Sequence, residues 1–265
     1  MAAFNVEDFQ QALQTCVIGR HFHYSPVVPS TNTAARLLGR QGAPEGTVVI
    51  ADAQTAGRGQ AGKAWISPPE RNVYVSILVR PPVTPARAPL LSLLAAVALV
   101  DALRQEGADC GIKWPNDVLI QRGKVAGILT EMETKHDTVQ FVVVGIGVNV
   151  NMTQAEIDHY LRSIAPAVTS LQSTLGREIR REAFLAGLLG NLERWYDIFR
   201  TEGGRTLVDA WQERSLMRGR RIIARTPQAT WAGTAAGIDQ AGCLLLRTDD
   251  GSLTTLTSAE VRFLD

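Results

Sequence analysis

The chain has 265 residues, 45% hydrophobic and 20% charged, the make-up of an ordinary globular protein with one large domain or one large and one small. Its 27 Lys and Arg against 26 Asp and Glu leave a formal net charge of +1, which gives no overall electrostatic reason to expect DNA or an anionic membrane as partner. Cys16, Cys110 and Cys243 are odd in number and far apart, which argues against a disulfide framework and a Cys-based zinc site and points to a reducing cytoplasm.

The opening MAAFNVEDFQ has no basic segment followed by an apolar run, so a secretory leader is not expected. Asn5 before Val-Glu-Asp reads as a helix start with acid in its first turn. Residues 21–28 read as a strand, and Ser30-Thr31-Asn32-Thr33 begins a capped helix. GTVVIA (46–51) is a buried strand that runs into a glycine loop, and NVYVSILVR (72–80), dense in β-branched residues, is the strand after it. Residues 86–107 form a long buried helix; its most apolar part, 89–100, is too short to span a bilayer. Strand pieces at 109–113 and 117–121 flank Trp114-Pro115, a turn at 121–124 leads into VAGILTEME, and 140–151 is a strand with two glycines. Residues 154–215 read as helical, with apolar positions spaced by threes and fours from Phe184 to Phe199. From about residue 216 the helical period disappears and short strands with Gly turns take over. This predicts an α+β catalytic domain over 1–215 and a small β-barrel over 216–265.

The loop AGRGQAGKAW (56–65) fits two phosphate-loop patterns, G-x-G-x-x-G and most of G-x-x-x-x-G-K. Both patterns need a helix to open at their end, and Ile66-Ser67-Pro68-Pro69 leaves no room for one. There remains a glycine loop between strands, carrying Arg58 and Lys63 and ending at Trp65, suited either to enclosing an anion or simply to turning the chain. KWPND (113–117) presents Asn116 and Asp117 together, either to hold Mg²⁺ with phosphate oxygens or to satisfy their own backbone in a turn. Lys124 stands among apolar residues in GKVAGILTE, so it reaches solvent at a strand end or meets an anion. The glycines of GIGVNVN (145–151) mark a bulge or a close approach of ligand to backbone, with Asn149 and Asn151 on one face. His21 and His23 share a strand face without a third metal ligand and read as structural.

As a set, PSTN (29–32), AQTAGRGQAGKAWISP (53–68), NVYVSILVRP (72–81), KWPNDVLI (113–120), GKVAGILTE (123–131) and VVVGIGVNVN (142–151) resemble the successive motifs of the biotin protein ligases. The tail, with GTAAGIDQAGCLLL (233–246) and SAEV (258–261), is similar to their C-terminal SH3-like barrel. The resemblance implies a mixed central sheet flanked by helices and a two-step reaction. Biotin is activated by ATP and Mg²⁺ as biotinyl-5′-AMP, then transferred to a lysine of a biotin carboxyl carrier domain. It implies that Ser30, Thr31, Asn32 and Gln54 bind the polar ring of biotin, while Arg58, Gly59 and Gln60 cover its carboxylate and the phosphate. Lys124 and Arg58 would be the catalytic cations, and Gly127 and Gly145 would let backbone approach biotin. Lys63, Trp65, Lys113, Asn116 and Asn149 would face ATP, with Asp117 at the metal. Gln60 and Lys63 stand where arginines are common in the family, which implies a looser grip on the acyl-adenylate. Only 29 residues precede Ser30, which implies the form without an N-terminal DNA-binding module. Family ligases can also form homodimers through a sheet edge. A lipoate or octanoate ligase shares the fold and is the nearest alternative.

Overall fold

The computed structural model describes residues 3–161 and 167–264. The part of the helical reading that covers 162–166 lies outside them.

Asn5 caps α1 (Val6–Ala12) by accepting from the N–H groups of Glu7 and Asp8. Strand β1 (Phe22–Val28) follows, then α2 (Thr31–Arg40), β2 (Val48–Gln54) and β3 (Val73–Val79). Helix α3 (Leu90–Gln105) leads to three strands in hairpin succession, β4 (Cys110–Lys113), β5 (Asp117–Ile120) and β6 (Gly123–Lys135), and then β7 (Thr138–Val148). These strands form one sheet in the order β1-β2-β3-β7-β6-β5-β4. Only the β1–β2 pair is parallel, so the sheet is mixed, as the sequence implies.

The two faces of this sheet differ in what covers them. Along β3, Val73, Val75, Ile77 and Val79 point into the main core under α3, and the alternate residues Tyr74, Ser76 and Leu78 face the other way. On that second face α2 packs through Ala35 over Val49, Leu78, Phe141 and Val143. The helix covers only part of the face, and the site lies on the remainder. Ion pairs tie α2 down along its outer edge, where Arg36 and Arg40 meet Glu133 and Arg36 also reaches Glu131.

Residues 154–161 and 167–215 hold the short helices α4 (Gln154–Tyr160) and α5 (Leu171–Leu175), then α6 (Arg181–Glu202) and α7 (Gly204–Glu213). The stripe from Phe184 to Phe199 lies buried on α6, which packs against α3 together with α7 and carries α1 on another side. Pro85–Gln105 is long and apolar enough by composition to cross a membrane, further than the apolar segment suggested, yet every residue from Leu93 to Val100 is buried between sheet and helices. A buried ion pair crosses from sheet to helix. Arg181 on α6 meets Asp52 on β2 at 2.7 Å, and Asp52 also accepts from the Phe4 N–H and the Tyr24 hydroxyl.

The chain ends in a second, antiparallel sheet of β8 (Arg221–Arg225), β9 (Thr230–Ile238), β10 (Leu244–Thr248), β11 (Leu253–Leu256) and β12 (Glu260–Phe263), in the order β11-β10-β9-β8-β12. Ile222, Ala224, Leu244 and Leu246 share one hydrophobic core with α3 and α7, so the small sheet is packed onto the first rather than tethered to it. Trp114 anchors the junction by donating its indole N–H to the Gly242 carbonyl at 2.9 Å.

Candidate active site

A cavity of about 860 Å³ opens on the partly covered face of the large sheet. Its floor is bare because of register. Gly127 on β6 pairs with Gly147 on β7, and Gly145 on β7 pairs with Ser76 on β3, so three glycines leave a patch without side chains. The start of α2 forms one wall, with Ser30, Thr31 and Asn32. The glycine loop forms the rim, and Arg225 and Glu260 of the small sheet close the far end. Every residue to which the sequence assigned a role lines this one cavity: Ser30, Thr31, Asn32, Gln54, Arg58, Gly59, Gln60, Lys63, Trp65, Lys113, Asn116, Asp117, Lys124, Gly127, Gly145 and Asn149.

The polar end is built by hydrogen bonds between distant segments. Ser30 occupies the N-cap position of α2, but its side chain makes no cap bond and faces the cavity instead. The Thr31 N–H and hydroxyl both donate to Gln54 Oε1, at 2.9 and 3.2 Å. Gln54 Nε2 donates to Ser67 Oγ at 2.9 Å, and the Ser67 hydroxyl lies 3.1 Å from the Trp65 carbonyl. Asn32 Nδ2 donates to the Leu129 carbonyl and to Glu131. Ser76 and Glu131 were not singled out from sequence. The signals existed: Ser76 is the only polar side chain in the buried run VYVSILV, and period-two alternation places Glu131 on the face of Gly127 and Leu129.

The loop is shaped by its own backbone. Gly59 N–H donates to Lys63 O at 2.7 Å, and Trp65 N–H donates to Gly57 O at 2.9 Å, which closes a hairpin with a short 3-10 turn at Gln60–Gly62. No helix follows Lys63, so neither standard phosphate-loop geometry forms. Any Cβ at Gly57 would strike the Trp65 carbonyl, so glycine is required where the hairpin closes. The loop cations rest on carboxylates. Arg58 meets Glu131 at 2.9 Å, and Lys63 meets Glu260 of the small sheet at 3.5 Å. That contact helps to hold the Glu260 carboxyl below its ordinary range.

Lys124 reaches inward from the start of β6, 2.5 Å from Asp117 and 5.3 Å from the centre of the Trp65 ring. Asn116, buried beside a cis Trp114–Pro115 peptide, donates to the Ile128 carbonyl. The turn reading of KWPND, in which both side chains satisfy their own backbone, does not hold: the Asn116 amide bonds the Ile128 carbonyl on β6, and Asp117 is held by Lys124. Lys113 is largely buried, and desolvation pushes its ammonium below the ordinary lysine range, against the opposing pull of Asp117. Lys63, Lys113, Lys124 and Arg225 give this half of the cavity an excess of positive charge over Asp117 and Glu260, suited to phosphates and a carboxylate, while Arg58 sits at the polar end on Glu131.

Three sequence expectations change in detail. Gly145 does not lie open to a ligand, because a Cβ there would overlap Asn32 Oδ1; its smallness makes room for that amide. Gly127 and Gly147 likewise make room for Trp65, whose indole lies across both, and a Cβ on Gly147 would come within 2.5 Å of the ring. Trp65 therefore covers the sheet floor, with its buried indole N–H unpartnered. Asn151 leaves the face of Asn149, since β7 ends at Val148, and it pairs with the backbone of Ile179. His23 is exposed on β1 and His21 is exposed just before it, and among the described residues no three His, Cys, Asp or Glu side chains gather as a metal cage.

Residues 24–149 match the Biotin/lipoate A/B protein ligase family, and residues 219–264 match the Biotin protein ligase C terminal domain. The chain is 40% identical over 240 residues to the Bifunctional ligase/repressor BirA of Bacillus subtilis, covering 90% of this chain and 73% of that one. The chain belongs to the biotin protein ligase family. A Biotin--[acetyl-CoA-carboxylase] ligase of Paracoccus denitrificans is 39% identical and is covered over 97% of its length. In three dimensions this biotin protein ligase family member matches the biotin protein ligase from Aquifex aeolicus in complex with biotin and ATP, with a TM-score of 0.77, 25% identity, and coverage of 92% of this chain and 99% of that one.

Proposed function

We propose that the protein is an ATP-dependent ligase that activates biotin as biotinyl-5′-AMP and transfers it to a lysine of a carboxylase carrier domain. The observation that carries this reading is the order of groups along one cavity: a hydrogen-bonding wall at Ser30–Asn32 and Gln54, a glycine floor on which the Trp65 indole lies, then Lys124 with further cations toward the small sheet. A bicyclic ring with a polar end, a short acyl chain and a nucleotide would be met in that sequence. Biotin's carboxylate is a poor acylating agent, so it attacks the α-phosphorus of ATP. The bond to the β-phosphate oxygen breaks and pyrophosphate leaves. The carrier amine then attacks the acyl carbon, AMP leaves, and the amine's surplus proton is lost. In the first step two anions must meet, and Lys124 and Arg58 offset their repulsion. The mixed anhydride hydrolyses in water, and the hairpin loop with Trp65 is placed to cover it.

We infer that Mg²⁺ accompanies the nucleotide. Asp117 is a single carboxylate beside the cationic half, which suits a cation that is held mainly by phosphate oxygens and water. Bound there, it would neutralise phosphate charge. Free thiols at Cys16, Cys110 and Cys243 support a cytoplasmic setting.

The test is pyrophosphate release from ATP with biotin, lipoate or octanoate supplied singly, with hydroxylamine present to discharge the intermediate. Release with biotin alone is expected. Release with lipoate or octanoate instead would change the substrate, and no release from folded protein would overturn the activity.

A further inference from the structure

The polar end of the cavity is not a neutral hydrogen-bonding surface; its donors and acceptors are assigned by neighbours. Asn32 Nδ2 lies between the Leu129 carbonyl at 3.1 Å and Glu131 Oε2 at 2.8 Å. Both partners can only accept when the carboxylate is ionised. Turning the amide over would set Oδ1 against a carbonyl and a carboxylate, so one orientation is enforced. Oδ1 then accepts from the Ser76 hydroxyl at 2.6 Å and keeps one lone pair. Asn32 has no N–H left for a ligand and presents an acceptor. Gln54 is fixed in the opposite sense: its Oε1 is taken by Thr31, one Nε2 hydrogen goes to Ser67, and the other hydrogen remains to donate.

We propose that Glu131 is a specificity-determining positioning residue, which locks Asn32 as an acceptor so that the ligand's polar end must supply an N–H. A cyclic urea does so, whereas a dithiolane or an alkyl chain does not. The inference rests on the biotin reading above. Arg58 and Arg36 provide the counter-charge at the same carboxylate, at 2.9 and 3.5 Å. Gly145 belongs to the device as well, since only a residue without a Cβ leaves space for Asn32 Oδ1 at this spot.

The test is Glu131→Gln in the full chain, read as equilibrium binding without ATP. A glutamine keeps the size but can turn its amide nitrogen toward Asn32, which removes one of the two acceptors that hold the amide and leaves only the Leu129 carbonyl to oppose the turned-over orientation. The ligands are biotin and the two carbamate analogues in which one ring N–H is replaced by oxygen. Side chain and carboxylate are common to all three, so any effect through Arg58 cancels in the ratio of affinities. The wild type is expected to reject at least one analogue by about 10- to 100-fold, the loss for an unpaired buried group. Glu131→Gln is expected to weaken biotin about tenfold and leave that analogue nearly unchanged, so the ratio collapses. Asn32→Ala, which deletes the acceptor itself, must abolish the ratio too. Equal loss of biotin and analogue in Glu131→Gln would reduce Glu131 to a structural role and overturn the proposal, as would discrimination that survives Asn32→Ala. If wild-type protein bound no biotin, the ligand reading itself would fall.

Discussion

Lys124→Met separates charge from packing at the centre of the cavity. The methionine keeps an aliphatic stem near Trp65 and deletes the ammonium that lies 2.5 Å from Asp117. Two energies are at stake and they differ in size. The Lys124 and Asp117 side chains are 31% and 24% exposed, so their mutual attraction is screened and its loss costs about 1 kcal/mol of stability or less. In the role proposed for it, the same ammonium would face a carboxylate and an α-phosphate together in the adenylation transition state. Removing one such contact typically costs about 2.7–4 kcal/mol, a factor of about 10²–10³ in rate. The expected result is a folded protein with nearly wild-type melting and a collapse of biotin-dependent pyrophosphate release under single-turnover conditions. Lys124→Arg should recover part of the rate, since it restores charge with different geometry. Adenylation by Lys124→Met within about threefold of wild type would refute the assignment, because a cation at the reacting centre cannot contribute so little.

Gly147→Ala would push a methyl into the Trp65 indole, and over-packing of this kind costs about 1–3 kcal/mol; a lower melting temperature and a red-shifted tryptophan emission, absent in a Trp65→Phe background, would confirm that this ring covers the floor. Lys113 starts below 10.5 because burial disfavours its charged form, so ATP affinity should fall with rising pH before an ordinary lysine would titrate, and Lys113→Arg should move that loss upward in a binding titration. Stability has the opposite sign: the burial penalty on charged Lys113 is felt below its folded pKa and is relieved as pH rises through it, so stability rises over that range. Asp52→Ala strands the buried Arg181 guanidinium without its carboxylate, a loss of about 3–5 kcal/mol, so calorimetry should show melting lowered by at least about 6 °C. Gln60→Arg adds a charge to the loop, and the off-rate of pre-formed biotinyl-AMP should drop; equal off-rates would remove the idea that glutamine loosens the grip.

Local chemistry made much of the fold legible. The Asn5 cap, the β-branched run of β3, the buried stripe of α6 and the change of period near residue 216 all rest on contacts within a few residues, so composition and spacing suffice to find them. The cationic and polar residues of the cavity were likewise visible as motifs. What spacing could not supply is which motif touches which. Asn32 meets Ser76 across 44 positions and Glu131 across 99, and Lys63 meets Glu260 across 197.

The sequence by itself determined the inventory: strands of period two, helices with caps and stripes, a glycine hairpin that no helix follows, and a set of cations and amides placed in chain order. Only the tertiary structure decided their meanings. Sheet register gathered Gly127, Gly145 and Gly147 into a bare floor, and it converted two of those glycines into seats for Trp65 and one into space for Asn32. It also turned a conventional helix start into a cavity-facing wall, because Ser30 spends no hydrogen bond on the cap. The physical reason is range. Capping and periodicity act between neighbours along the chain, whereas the orientation of an amide and the counter-ion of a loop arginine are set by groups that meet only when β6 lies beside β7 and α2, packed on β3 and β7, reaches Glu131 on β6.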